Sequence, residues 1–150
     1  MAGIVSYVAF WSVLYALSFF AAILWHEFGH YVMMCYYGGA PPHVKIEKTP
    51  RAKVSSKDYR WWKHALPFPL LDFVMTPRNP CKIDKNQWIV IYSVGISAGY
   101  MWLFFWASLM NKVIMYPGEL YFHVPANIFI FAMYCFGSLY DMREIQRLQK

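Results

Sequence analysis

Three stretches of this chain, Ile4 to Tyr37, Trp88 to Leu109 and Leu120 to Tyr140, are long, apolar and almost free of charge. Each reaches the ~20 residues that a helix rising ~1.5 Å per residue needs to cross a ~30 Å hydrocarbon core. In lipid every backbone amide must find its partner within the segment, so such runs fold as helices. The rest of the composition agrees. Only 15% of residues are charged and 21% are aromatic, whereas an ordinary soluble domain carries about 25% charged residues. The 150 residues make one domain, and the fold class read from them is an all-α integral membrane protein with helices over about 4–37, 87–110 and 120–141. The first run lacks the basic leader and the small-residue cleavage site of a signal peptide, and reads as a retained transmembrane helix.

The formal charge of +6 is distributed unevenly. Between Gly38 and Asn86 stand ten Lys/Arg, from Lys45 to Lys85, against the four acids Glu47, Asp58, Asp72 and Asp84. The tail adds Arg143, Arg147 and Lys150, while the turn between the second and third runs holds only Lys112. The positive-inside rule then places the N-terminus outside and both loop 38–86 and the C-terminus on the cytoplasmic side. This charge implies contact with anionic lipid headgroups. It carries no nucleic-acid recognition motif, so no nucleic-acid partner is expected. Cys35, Cys81 and Cys135 are too few and too scattered for a disulfide framework or a zinc ribbon.

Within the loop, "GGAPP" (Gly38 to Pro42) ends the first helix. "HVKIEK" alternates as a short strand does, with Val44 and Ile46 on one side. "YRWWKHALPFPLLDFVM", Tyr59 to Met75, is apolar but broken by Pro67 and Pro69, which predicts an interfacial or re-entrant element. The second helix carries "GISAG", whose Gly95 and Gly99 form a small-residue face for close approach of a neighbour.

The chemistry concentrates in "ILWHEFGHYVM", residues 23 to 33. His26, Glu27 and His30 form H-E-x-x-H. Residues four apart share one helix face, so two imidazoles can hold one metal, and zinc suits them. Glu27, one position along, can accept a proton from a water on that metal. A random chain of this length carries the pattern on the order of a few times in a thousand. Ionisable groups inside a bilayer are costly, which makes them functional candidates. A catalytic zinc site takes three protein ligands and keeps a fourth position open. The first and third helices both run inward, so Asp141 ends on the same side as the motif and is the preferred third ligand. Counting back from Tyr36 leaves Asp141 shallower than the histidines, a gap that helix tilt or a wet cavity must close. Glu144, Asp72 and His123 are rivals, His123 the least favoured because it belongs to the opposite end of its helix. His43 and His64 read as ordinary loop residues.

A transmembrane H-E-x-x-H on the first helix, a small-residue second helix and an aspartate at the end of the third resemble the site-2 protease family of intramembrane zinc metalloproteases. "YYGGAPPHVKIE" is similar to the segment that follows the motif helix there, and "VGISAGY" to the family's small-residue stretch, with Tyr100 in place of the usual proline. Asp141 precedes Met142 rather than glycine. Pro125 and Asn127 are loosely similar to the family's Asn-Pro element. The resemblance implies zinc held by His26, His30 and Asp141, with Glu27 as the catalytic base. It implies a transmembrane protein substrate, unwound before cleavage and held along Val44 to Ile46 by edge pairing, with Asn127 engaging it. The competing reading is a non-catalytic membrane subunit that keeps the metal for structure. A metal transporter is disfavoured, because no polar path continues across the helices.

Overall fold

The computed structural model describes residues 2–48, 71–79, 82–113 and 119–150. Helix α1 (Ala2–Gly38) is followed by strands β1 (His43–Lys48) and β2 (Leu71–Thr76), then helices α2 (Lys85–Val113), α3 (Leu120–Gly137) and α4 (Leu139–Gln149). Helices α1, α2 and α3 are each long and apolar enough to cross a membrane. Their outward faces carry Phe10, Leu17, Phe20, Met101, Phe104, Ile128 and Phe129, all more than half exposed. A soluble domain does not display so many large apolar side chains together.

Local chemistry sets the helix ends. Gly39 adopts φ +67°, and its N–H reaches back to the Cys35 carbonyl at 3.1 Å. This is a left-handed cap that glycine takes without steric cost. At the start of α2, Asp84 and Gln87 cap each other. The Gln87 N–H donates to Asp84 Oδ1 at 2.8 Å and the Asp84 N–H to Gln87 Oε1 at 3.0 Å, a reciprocal capping box.

Helix α1 packs most extensively against α2. The two backbones are closest where Gly29 faces Gly95: a Cβ on Gly29 would come within 3.0 Å of the Gly95 Cα and the Val94 carbonyl oxygen. Between the three long helices lies a core of Tyr15, Ala22, Leu103, Met110, Ile130 and Tyr134. A second cluster of Met34, Ile83 and Ile91, flanked by Met75 of β2, closes the end of the bundle where α1 finishes and α2 begins.

Two expectations require correction. The part of the supposed re-entrant segment within the described residues, Leu71 to Met75, is strand. It pairs antiparallel with β1, so that Val44 faces Met75 and Ile46 faces Phe73. Prolines 67 and 69 suggested a broken membrane element, but "LDFVMT" is a β-favouring run that finds its partner in "HVKIEK". The remainder of that segment, with His64, lies outside the described residues, as does Cys81. The third apolar helix also does not run unbroken to residue 141. It ends at Gly137, and Asp141 stands in the first turn of α4. The break is shallow, because the Ser138 N–H still bonds the Tyr134 carbonyl at 2.9 Å and the Met142 N–H the Ser138 carbonyl at 3.1 Å.

Candidate metal centre

His26 and His30 lie one turn apart on α1 and point their Nε2 atoms at one another, 2.9 Å apart. Asp141 closes the triangle from α4. Its Oδ2 is 2.7 Å from His26 Nε2 and 3.0 Å from His30 Nε2. All three residues are buried, at 9%, 7% and 8% exposure. They are the one group among the described residues with ligand atoms close enough together to hold a metal ion.

The dimensions suit a small cation. At metal–ligand distances of ~2.0–2.1 Å, two tetrahedral ligands stand ~3.3 Å apart. The observed edges fall short of that by a few tenths of an ångström. Two imidazole nitrogens and one carboxylate oxygen also form the donor set that zinc favours in hydrolytic sites.

The surroundings orient each donor. His30 Nδ1 lies 3.0 Å from the Ile91 carbonyl oxygen. A carbonyl only accepts, so Nδ1 carries the hydrogen and Nε2 turns its lone pair into the triangle. Gly95 makes room for this ring, since a Cβ there would run into the His30 imidazole. His26 Nδ1 is 2.8 Å from the Tyr134 hydroxyl. Burial pushes the Asp141 carboxyl up, but the two imidazoles beside it outweigh that and hold the group down at about 2. Asp141 therefore faces the histidines as a carboxylate, the form that ligates metals.

The gap counted between Asp141 and the histidines is closed in the structure. Helix α1 has 37 residues, about 55 Å of length, against a hydrocarbon core of ~30 Å. A helix of that length exceeds one core thickness, and the motif lies level with Asp141, which stands just past the end of α3.

Among the rivals, Glu144 is half-buried one turn further along α4 and sits 3.6 Å from Arg147. Asp72 is opposite Glu47 in the strand pair. His123 lies towards the other end of the bundle, between the hydroxyls of Tyr7 and Tyr15 at 3.0 Å each. Glu27 is half-buried beside His26 on α1 and is not one of the three converging ligands.

The proposed substrate contacts divide. β1 is paired on one edge by β2, and Val44 is 47% exposed. Asn127 is not brought to the triangle. Its Nδ2 donates to the Tyr15 hydroxyl at 3.2 Å and to the His123 carbonyl at 3.0 Å, so it ties α3 to α1 away from the histidine motif. Two contributors escaped sequence reasoning. Tyr134 stands two turns before Asp141, a spacing that signals a shared helix face. The Ile91 carbonyl leaves no trace in the sequence. No family model, curated protein or solved structure matches this chain.

Proposed function

We propose that the chain is an intramembrane zinc metallopeptidase of the site-2 protease kind, acting on transmembrane segments of other proteins. The observation that carries this reading is the buried convergence of His26, His30 and Asp141 from two distant parts of the chain on a point that a single ion can fill. His26, His30 and Asp141 would hold the zinc, leaving a fourth coordination position for the reacting partners. When bound, zinc supplies Lewis acidity that polarises a peptide carbonyl and acidifies water.

The protein's own groups do the rest. Glu27 takes the proton from the attacking water and returns it to the departing amine, which keeps the proton count balanced as the C–N bond breaks. The open edge of β1 among the described residues supports capture of an unwound substrate strand by backbone hydrogen bonds. Unwinding must come first, because the amides of a membrane helix are bonded within the helix. On the proposed topology, the N-terminus lies outside, while the strand pair and the C-terminal helix face the cytoplasm and its anionic headgroups.

Purified Glu27→Gln protein tests the chemistry. It is expected to bind zinc as wild type does and to lose cleavage of a reporter carrying a transmembrane segment. Retained cleavage would exclude Glu27 as the base. A wild-type protein that binds zinc but cleaves none of a broad transmembrane library would favour the structural-subunit reading.

A further inference from the structure

A histidine can ligate through either ring nitrogen, and on one helix turn a wrong choice at His26 would aim its lone pair away from His30 and Asp141. Tyr134 decides the matter. Its hydroxyl is placed between three atoms: His26 Nδ1 at 2.8 Å, the Ile96 carbonyl oxygen at 2.9 Å and the Gly95 carbonyl oxygen at 3.4 Å. The hydroxyl has one hydrogen to give, and carbonyl oxygens accept only. That hydrogen goes to Ile96, the nearer carbonyl, so the tyrosine oxygen must accept from His26, and His26 carries its hydrogen on Nδ1.

The position is built for this purpose. Tyr134 is 3% exposed, and its hydroxyl lies where a Cβ on Gly99 would be. Gly99 thus lets the phenol tip reach the α2 backbone between the first and second helices. The Tyr134 ring also packs edge-on to His26, with centroids 5.8 Å apart.

We infer that Tyr134 is a positioning residue that locks His26 in the Nδ1–H tautomer and thereby commits its Nε2 to the metal, as the Ile91 carbonyl does for His30. With both rings fixed, three acceptors (His26 Nε2, His30 Nε2 and Asp141 Oδ2) meet within 3.0 Å with no neutral donor between them. Such a triangle demands a cation. A proton satisfies one pair of its acceptors at a time, whereas one metal ion satisfies all three. Outer partners of metal-bound histidines commonly contribute 10–100-fold in affinity. The inference rests on the metallopeptidase reading and adds to it a residue outside the H-E-x-x-H motif.

The test uses the full chain in lipid nanodiscs, titrated with Zn²⁺ against a chromophoric chelator. Tyr134→Phe keeps the ring and removes the hydroxyl, and is expected to weaken zinc binding by about 10–100-fold. Tyr100→Phe is the control. It deletes a neighbouring hydroxyl that contacts Cys135 Sγ at 2.7 Å rather than a ligand, and should leave affinity within about twofold. Long-range ¹H–¹⁵N spectra of zinc-loaded, histidine-labelled wild type provide a readout that needs no variant to fold. His26 should show a protonated Nδ1 and a metal-bound Nε2. Tyr134→Phe binding zinc within about threefold of wild type, or His26 ligating through Nδ1, would overturn the assignment. A wild type that takes up no zinc would instead overturn the metallopeptidase reading beneath it, so the two failures are distinguishable.

Discussion

Gly95→Ala probes the site through steric fit alone. The added Cβ would meet the His30 ring, with Nε2 at 2.6 Å and Nδ1 at 2.7 Å. Ordinary contact begins near 3.4 Å and the ring's Cε1 lies nearer still, so the imidazole must retreat by ~1 Å or the α2 backbone must move. The backbone is already held against Gly29, whose own Cβ position is 3.0 Å from the Gly95 Cα. The ring is therefore what yields, and it does so at the expense of its hydrogen bond to the Ile91 carbonyl. Zinc–ligand distances tolerate only ~0.2 Å of error, so a displacement of ~1 Å removes His30 from the ligand set.

Structural zinc sites with four ligands bind with ~10–16 kcal/mol, or ~3 kcal/mol per ligand. Gly95→Ala should thus lower zinc affinity by at least ~100-fold, while overpacking costs the fold ~1–3 kcal/mol. The assay is chelator competition beside a thermal melt followed by circular dichroism. Gly137→Ala, where a Cβ meets nothing within 4 Å, is the matched control and should change neither. A Gly95→Ala protein that binds zinc within about threefold of wild type would refute the geometry on which the site is built.

Asp141→Asn keeps the shape and removes the charge. It should lower zinc affinity by ~10²-fold or more, by the same per-ligand reckoning, whereas Glu144→Gln, half-buried one turn away, should leave it unchanged; chelator competition reads both. His123→Ala, at a site 1% exposed and bonded to Tyr7 and Tyr15, should destabilise the bundle by ~2–4 kcal/mol in reversible denaturation without altering zinc affinity. Asp84→Ala removes the α2 capping box and should cost ~1 kcal/mol of thermal stability, again with zinc binding intact.

The apolar runs revealed the three long helices because nothing but a helix satisfies its backbone within so apolar a segment. His26 and His30 were legible as a pair because helical spacing alone brings them to one face. Asp141 was legible only by side and approximate depth. The count from Tyr36 misjudged its level, since a helix over 4–37 is already longer than a ~30 Å core and a count from one end fixes no depth. The Asp84–Gln87 box was readable in "DKNQ", yet the apolar run alone started the helix later, near residue 87.

The β-hairpin was half seen. β1 alternates cleanly, but β2 lies behind two prolines and its strand character depends on a partner 23 or more residues earlier. Tyr134 shows a different limit. A tyrosine in an apolar helix reads as packing, and its role depends on Gly99, Ile96 and His26 arriving at one hydroxyl from two other helices. The glycines also had a use that spacing did not reveal. Gly95 and Gly99 admit the His30 ring and the Tyr134 hydroxyl as well as a neighbouring backbone.

The central claim is that His26, His30 and Asp141 form one open zinc site. Zinc stoichiometry of the purified chain beside Asp141→Ala, with coordination read by X-ray absorption, tests it most directly. The account predicts one zinc per wild-type chain, a shell of two imidazole nitrogens and carboxylate oxygen at ~2.0–2.2 Å with an exchangeable water, and loss of the metal in Asp141→Ala. A wild type without zinc, or a closed four-ligand shell that survives the loss of Asp141, would contradict it.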